Sequence, residues 1–182
     1  KRMGNKGAFL LLKFNTMLEN SENLSGGLIT TENDPRIIPG LNWLRKTKLN
    51  EIPQFFNVLN GDLSIVGLRP LPMKYYDDLS NHEKSISDFC IKGLTGIASL
   101  IFRNEERMFS NEENLNDFDL NIVVPYKLKL EGWYSENISI FKYLSIGLLT
   151  PIVIFSGNAK LLWKLFYDIP KPPYKLEKYL YG

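Results

Sequence analysis

The sequence contains few of the residues on which many catalytic and metal sites depend. Its 182 residues include one cysteine, Cys90, and one histidine, His82. A single cysteine excludes an internal disulfide framework and a multi-cysteine zinc site, so we expect Cys90 to be a small buried hydrophobic residue. His82 lies in the polar run Ser80–Lys84, which predicts a surface position. The composition therefore argues against serine–histidine triads and sites with several histidine ligands.

Long apolar runs and an excess of charge of one sign are also missing. The formal net charge is +2 and no basic stripe is present, which argues against a nucleic-acid partner. The longest apolar window, residues 143–155, is too short to span a bilayer and contains Pro151. With 44% hydrophobic and 23% charged residues, the composition predicts one globular domain, residues 1–182, with a sizeable core.

The N-terminal third shows short segments separated by polar loops. Phe9–Phe14 reads as a buried strand from which Lys13 emerges. A polar loop over Leu18–Asn33 and a turn at Asp34–Arg36 follow. We then expect a short helix that ends near Lys46, because basic residues favour a helix C-terminus.

The most informative stretch is Lys46–Pro70, which places polar residues between apolar segments. Asn50 is a good N-cap and Pro53 is tolerated in a first turn, so we expect a helix from Asn50 to about Leu59. Its apolar side would consist of four residues: Ile52, Phe55, Phe56 and Leu59.

Two charged residues in this stretch suit a phosphate-bearing substrate. Glu51 falls in the first turn of the expected helix, where the helix dipole favours an ionised carboxylate that can hold a divalent cation. The short apolar run Leu63–Val66 leads to Gly67 and then to Arg69, at a turn that presents the guanidinium.

The second half of the chain predicts further helices. Tyr75–Ser87 reads as a polar-faced helix, and a turn at Thr95-Gly96 is expected to feed a strand over Ile97–Phe102. Arg103–Leu130 is charged and amphipathic, with Pro125 interrupting it.

The region 138–182 is interpreted as interfacial helices and a tail. Leu161–Tyr167 fits an interfacial helix with snorkelling lysines, and a core helix with lysines at its edge remains an equal alternative. The proline-, lysine- and tyrosine-rich segment Lys171–Gly182 is expected to be mobile.

Five motifs occur in a fixed order along the chain. They are Gly4-x-x-Gly7-x-Phe9 leading to Lys13-Phe14-x-Thr16-Met17, Asn33-Asp34-Pro35-Arg36, Leu44-Arg45-Lys46-Thr47-x-Leu49-Asn50-Glu51-Ile52-Pro53-Gln54, Asn57-Val58-Leu59-x-Gly61-Asp62-Leu63-Ser64-Ile65-Val66-Gly67-x-Arg69-Pro70 and Gly93-Leu94-Thr95-Gly96. In this order they resemble the bacterial sugar transferases, the monotopic phosphoglycosyl transferases. The resemblance extends from Gly4 to about Arg103. That family carries a hydrophobic re-entrant helix ahead of the first motif, so we expect that an N-terminal piece is missing here.

The resemblance implies a fold, a reaction and a place in the cell. The fold would be α+β: a small, mostly helical, monotopic membrane-associated domain with short strands. The reaction would transfer a sugar 1-phosphate from a UDP-sugar to polyprenyl (undecaprenyl) phosphate and release UMP, with Mg²⁺ as cofactor. It would be the first membrane step of capsule, exopolysaccharide or glycoconjugate assembly, at the cytoplasmic face of the bacterial inner (plasma) membrane. The sugar and a homo-oligomeric state stay open.

The resemblance also assigns roles to particular residues. In the family an aspartate attacks the phosphate to form a covalent phosphosugar intermediate, and the next glutamate holds magnesium. Glu51 matches that metal-binding glutamate and Asn50 stands at the aspartate position, which makes these two the catalytic candidates. Lys13, Arg69 and, as a weaker match, Arg103 are the phosphate-binding candidates. From the residues alone, Glu51 could instead be a helix-start acid, Arg69 a salt-bridge partner and Lys13 a surface lysine.

The chain departs from the family pattern at four positions: Asn50, Asn15, Leu68 and Lys92. A carboxamide such as that of Asn50 is not a competent phosphoryl nucleophile. Three explanations stay open: loss of activity, direct attack by the acceptor phosphate, and transfer of the nucleophilic role to Glu51. The alternative function is a catalytically inactive homologue that acts as a membrane scaffold or nucleotide-sugar binder. A third is a soluble helical domain whose aromatic tail is a protein interface.

Overall fold

The computed structural model describes residues 1–24, 29–110 and 114–181. Within these ranges the chain forms short strands and many helices. The strands are β1 (Arg2–Gly4), β2 (Gly7–Phe9), β3 (Ser64–Val66) and β4 (Gly93–Thr95). The helices are α1 (Asn42–Lys46), α2 (Gln54–Leu59), α3 (Met73–Asp78), α4 (Asn81–Phe89), α5 (Ile97–Ile101), α6 (Glu105–Phe109), α7 (Leu115–Phe118), α8 (Val124–Glu136), α9 (Ile140–Ser156), α10 (Lys160–Leu165) and α11 (Tyr174–Leu180).

The strands form two separate two-stranded sheets. β1 and β2 are an antiparallel hairpin in which Met3 faces Ala8. β3 and β4 run parallel, with Val66 facing Thr95, and α3 and α4 make the crossover between them. The expected mostly helical α+β fold with short strands is therefore confirmed. In the described ranges, no helix combines the length and apolarity needed to cross a bilayer.

The core lies around α8 and α9. Leu130 and Tyr134 of α8 and Ile146 of α9 are fully or almost fully buried. Pro125 lies in the first turn of α8, so the α-helical pattern of the charged region is broken just before it, as predicted. A π-helical turn, Asp119–Val123, leads directly into α8.

Two glycines allow β3 and β4 to approach each other closely. A side chain on Gly93 would collide with the backbone of Gly67, and one on Gly67 would collide with the carbonyl group of Ile91. The close approach fixes the turn after β3, and Arg69 lies in that turn.

Several local predictions are confirmed. Cys90 is buried against Leu68 and Leu128, and His82 is exposed in the first turn of α4. A turn is present at Asp34–Arg36, where the Arg36 guanidinium pairs with the Asp34 carboxylate at 2.6 Å. The short helix α1 ends at Lys46 as expected. Parts of two other predictions, residues 25–28 and 111–113, lie outside the described residues.

Both strand predictions in apolar runs are wrong. β2 ends at Phe9, and residues 10–14 are irregular and largely exposed. Their backbone bonds to the Asn57 side chain instead of to a neighbouring strand. Residues 97–101 form helix α5, and the strand is the preceding Gly93–Thr95. A short apolar run does not distinguish a buried strand from a buried helical turn.

Two predictions for later parts of the chain need correction. The single helix predicted over Tyr75–Ser87 is divided into α3 and α4, because Ser80 and Glu83 form a capping box that starts a new helix. The segment predicted as a mobile tail instead contains α11, whose Leu176 is fully buried. In α10 Leu162 is fully buried, while the following Tyr167 is 94% exposed, so one side of this segment packs on the core.

Candidate active site

Asn50 and Glu51 lie in a 3₁₀ turn, Leu49–Glu51, rather than at the start of a helix. The predicted N-cap role of Asn50 is therefore wrong: α2 begins at Gln54, after Pro53, without a side-chain cap. The turn forms because Lys48 adopts the left-handed conformation at φ 59° and its carbonyl oxygen accepts a hydrogen bond from the Glu51 N–H at 3.0 Å. Left-handed backbone is unusual for a residue with a long side chain and is frequent at functional sites.

α2 has the predicted apolar side, but this side faces outward. Its four apolar residues are substantially exposed: Ile52, Phe55, Phe56 and Leu59. The buried residues of the helix are polar, namely Gln54 and Asn57. The helix ends at Leu59 as predicted, with Gly61 at a positive φ of 76°. An outward apolar side next to buried polar residues indicates a surface that faces something other than the core.

The segment 10–14 is fixed beside α2 by three hydrogen bonds. The Leu12 N–H donates to Asn57 Oδ1 at 3.0 Å, and Asn57 Nδ2 donates to the Leu10 carbonyl oxygen at 3.0 Å. The Phe14 N–H donates to the Asn50 carbonyl oxygen at 2.9 Å. These bonds hold Lys13 close to the turn that carries Glu51.

Glu51 and Arg69 form a bidentate ion pair at the centre of the site. Arg69 Nη1 lies 2.8 Å from Glu51 Oε2, and Arg69 Nη2 lies 2.7 Å from Glu51 Oε1. The side chains are 16% exposed for Glu51 and 40% exposed for Arg69, so the pair is open to solvent on the arginine side. The planar guanidinium of arginine matches carboxylate and phosphate groups alike, which makes this pair a suitable anchor for a phosphate.

Several cations surround Glu51 and determine its charge. Burial opposes ionisation of this carboxyl, but Arg69, Lys48 and Lys13 outweigh it, so the pKa of Glu51 lies below its ordinary value. Arg2 and Arg103 also interact electrostatically with Glu51. Glu51 is therefore ionised at neutral pH in a strongly cationic environment.

Lys13 and Arg103 differ in how well they suit a substrate phosphate. Lys13 is exposed, and desolvation together with the cations Arg2, Arg45 and Arg69 lowers its pKa. The Arg103 guanidinium instead binds backbone carbonyl oxygens of Lys46 and Ile154, the latter at 3.3 Å. The structure thus brings Lys13 to the pair as an available cation, whereas Arg103 also joins α1 to α9.

Sequence reasoning missed two cations of the site, Arg2 and Lys48. Arg2 Nη1 donates to the Pro70 carbonyl oxygen at 3.2 Å, which connects the first strand to the turn that carries Arg69. Lys48 interacts with Glu51, and its pKa is lowered by burial. Lys48 lies two residues before Asn50 and could have been proposed from its position, whereas no local pattern marks Arg2.

The side chain of Asn50 has an unusual environment. Asn50 is 6% exposed, and its Oδ1 atom has no hydrogen-bond partner within the described protein. A buried amide oxygen without a partner costs free energy and is commonly explained by an ion, water or ligand that completes it.

Two oxygen donors of the site, the Glu51 carboxylate and Asn50 Oδ1, suit a magnesium ion that also binds a phosphate ligand. The described residues contain no group of three or more histidine, cysteine, aspartate or glutamate side chains that could hold a metal ion by themselves. Mg²⁺ typically binds through one or two carboxylates and completes its shell with water and substrate phosphates. The Glu51 carboxylate and the unpartnered Asn50 Oδ1 fit that pattern, and phosphates would supply the negative charge that the cationic surroundings require.

The chain belongs to the bacterial sugar transferase family, which matches residues 1–157. It is 34% identical over 169 residues to the galactosyl transferase CpsE of Streptococcus agalactiae, a match that covers 87% of this chain and 34% of that protein. It is 28% identical over 176 residues to the undecaprenyl-phosphate galactose phosphotransferase of Salmonella typhimurium, covering 87% of this chain and 33% of that protein.

A third relative carries glucose in its name. The UDP-glucose:undecaprenyl-phosphate glucose-1-phosphate transferase of Escherichia coli is 35% identical over 99 residues, which cover 51% of this chain and 21% of that protein. The family resemblance inferred from the ordered motifs is thus confirmed. The chain spans about a third of the length of the first two relatives.

Proposed function

We propose that this protein transfers a sugar 1-phosphate from a UDP-sugar to polyprenyl (undecaprenyl) phosphate and releases UMP. The proposal rests on one observation: an ionised carboxylate, Glu51, is held in two hydrogen bonds by Arg69 in the middle of further cations. The names of the relatives support it, since they describe galactose and glucose transfer and undecaprenyl phosphate. The reaction would take place at the cytoplasmic face of the bacterial plasma membrane.

The cations of the site would bind and orient the phosphates of the donor. Arg69 has the geometry to bind two phosphate oxygens, and its open side is available to a ligand. Lys13 and Lys48 would add positive charge where the leaving phosphate develops negative charge. Glu51 positions the Arg69 guanidinium and would hold Mg²⁺ together with Asn50 Oδ1. When bound, the metal ion would neutralise and orient the diphosphate.

An exposed apolar surface beside the site suits an acceptor that is embedded in a membrane. We call it the α2 surface; its residues are Leu10, Leu12, Phe14, Ile52, Phe55, Phe56 and Leu59, which are between 40% and 81% exposed. Exposed apolar residues in such number usually mark an interaction site. Because Asn50 and Glu51 lie one short step before α2, which begins at Gln54, a bilayer on this surface would bring a lipid phosphate close to Arg69.

Membrane binding is testable with liposomes that contain anionic lipids. The double variant Phe55→Ser with Phe56→Ser is expected to weaken sedimentation with liposomes at least tenfold, because two large exposed apolar side chains are removed. Phe89→Ser is the control, since Phe89 is 61% exposed at the end of a different helix, α4. An equal loss of liposome binding in both variants would contradict the assignment of the α2 surface as the membrane-binding surface.

The transfer itself is tested by UMP release. The full-length protein receives UDP-glucose or UDP-galactose, polyprenyl phosphate and Mg²⁺. Arg69→Lys keeps the charge but loses the two parallel hydrogen bonds, so we expect UMP release to fall about 100-fold. Glu19→Gln, at an exposed carboxylate, is the control and should retain full activity. Full activity in Arg69→Lys would refute the assigned role of the Glu51–Arg69 pair.

A second candidate function is a membrane scaffold or nucleotide-sugar binder without turnover. The observation that favours it is the carboxamide of Asn50, which is not a phosphoryl nucleophile. This candidate predicts Mg²⁺-dependent binding of UDP-sugar, measured by calorimetry, with no UMP release. UMP release that depends on polyprenyl phosphate would exclude this second candidate function.

A further inference from the structure

We infer that the acceptor phosphate attacks the donor directly, in a complex that holds both substrates, and that no phosphosugar–protein intermediate forms. This inference rests on the proposed function and concerns the order of its steps. The structure supports it in two ways: the carboxylates that interact with the cations of the site are all paired or hydrogen-bonded, and the site gathers enough cations for two phosphate-bearing substrates.

The two residues of the 3₁₀ turn are poor phosphoryl nucleophiles. The Asn50 carboxamide carries no negative charge and is a much weaker phosphoryl nucleophile than a carboxylate. Glu51 is charged, but each of its oxygens accepts a hydrogen bond from Arg69, at 2.7 and 2.8 Å. Attack by Glu51 would require this bidentate pair to open, which would remove the guanidinium from the phosphate that it should stabilise.

The other carboxylates near the cations are also engaged. Glu105, which interacts with Lys48 and Arg69, forms an ion pair with Lys127. Glu106 accepts a hydrogen bond from Arg45 at 2.9 Å.

Two further acidic or nucleophilic groups are unsuitable. Asp119 is 4% exposed, and burial raises the pKa of its carboxyl. The Cys90 thiol is buried in a separate apolar cluster with Leu68 and Leu128. Within residues 1–24, 29–110 and 114–181, the carboxylates that interact electrostatically with these cations are therefore all engaged by other side chains, and the one thiol lies elsewhere.

The positive charge of the site matches two phosphate ligands. Five cationic side chains interact with Glu51: Arg2, Lys13, Lys48, Arg69 and Arg103. Glu51 neutralises one positive charge, and Glu105 is already paired with Lys127. A diphosphate and a phosphate monoester, each with a charge of about −2, could then be bound together, with Mg²⁺ offsetting part of their repulsion.

The direct step balances without a proton or an additional reactant. An oxygen of the acceptor phosphate forms a bond to the β-phosphorus of the UDP-sugar. The bond between that phosphorus and the bridging oxygen breaks, and its electron pair leaves with UMP. The products are a polyprenyl diphosphate sugar and UMP, and the total charge is unchanged. In-line displacement of this kind depends on positioning and electrostatic stabilisation.

The discriminating experiment is isotope exchange between UMP and UDP-sugar without acceptor. Full-length protein is incubated with UDP-galactose or UDP-glucose, radiolabelled UMP and Mg²⁺, and labelled UDP-sugar is measured. A covalent route exchanges label without acceptor, whereas direct displacement does not. We expect no exchange above the protein-free blank, although the same preparation releases UMP once polyprenyl phosphate is added.

Two variants give the experiment its positive and negative controls. Asn50→Asp places a carboxylate next to Glu51 and is expected to raise exchange at least tenfold above the blank. Asn60→Asp adds the same charge at an exposed position near the end of α2 and should leave exchange at the blank.

Each outcome has a separate meaning. UMP release that requires acceptor, without exchange and with intersecting initial-rate lines, supports direct transfer. Exchange by the unsubstituted protein, together with a phosphosugar adduct in its intact mass, overturns this inference and leaves the proposed function standing. Absence of UMP release with acceptor present overturns both.

Discussion

Replacement of Glu131 by glutamine is expected to remove a large part of the pH dependence of folding stability. Glu131 is fully buried in α8, and its Oε1 accepts a hydrogen bond from the Ala98 N–H at 2.9 Å. Its Oε2 has no partner within the described protein. Burial raises the pKa of this carboxyl from 4.5 to about 8, although the bond from Ala98 opposes the rise. Glu131 is therefore protonated in the folded protein at neutral pH.

The sign of the effect follows from proton binding. Between pH 4.5 and about 8 the folded state binds a proton on Glu131 that the unfolded state releases, so stability falls as pH rises through this window. At 1.36 kcal/mol per pKa unit, the loss between about pH 5 and about pH 8 amounts to about 3.5 kcal/mol. Glutamine has nearly the same shape and does not titrate, so Glu131→Gln should escape this loss.

Urea unfolding at about pH 5 and about pH 8 measures the effect. The difference in unfolding free energy between the variant and the unsubstituted protein should move by about 3.5 kcal/mol in favour of the variant as pH rises. Glu136→Gln, at an exposed carboxylate of the same helix, controls for the loss of an acid. Stability curves of Glu131→Gln and the unsubstituted protein that run parallel across pH would refute the buried, protonated state of Glu131.

Two further predictions concern the support of the site and are measured by urea unfolding. Gly93→Ala should destabilise the protein by about 3 kcal/mol or more, because the added methyl group would collide with the Gly67 backbone. Gly147 lies inside α9, and the nearest atom to an added methyl group is 4.0 Å away, so Gly147→Ala should instead stabilise the protein by about 0.5–1 kcal/mol. A similar loss of stability in both glycine variants would show that close approach of the strands is not the cause. Asn57→Ala should cost about 1–3 kcal/mol, because it removes the partners of the Leu12 N–H and the Leu10 carbonyl group. An unchanged unfolding free energy in Asn57→Ala would show that these bonds do not fix the segment.

The sequence was sufficient to single out Glu51 and Arg69 as site candidates, but not to predict their ion pair or the geometry of the turn that carries Glu51. Both residues were singled out because they lie in the polar stretch Lys46–Pro70 and match the family motifs, and the structure places them in contact. Asn50 was predicted to cap a helix from its residue type alone. The left-handed Lys48 instead makes a 3₁₀ turn, and propensity rules do not register a single unusual backbone conformation.

The periodicity of α2 was read correctly, but it left the environment of the apolar side open. A helical pattern of Ile52, Phe55 and Phe56 defines a side of the helix without stating whether core, membrane or partner covers it. The burial of Asn57 depends on hydrogen bonds to residues more than forty positions earlier in the chain. The contribution of Arg2 likewise arises from a tertiary contact with Pro70 that no local pattern encodes.

The mass of the lipid product shows directly whether sugar 1-phosphate is transferred. Full-length protein is incubated with UDP-galactose or UDP-glucose, Mg²⁺ and polyprenyl phosphate, and the extracted lipid is analysed by mass spectrometry. The proposed transfer predicts a polyprenyl diphosphate hexose that appears in step with UMP and is strongly reduced in Arg69→Lys. Unchanged polyprenyl phosphate after prolonged incubation with both donors would contradict the account.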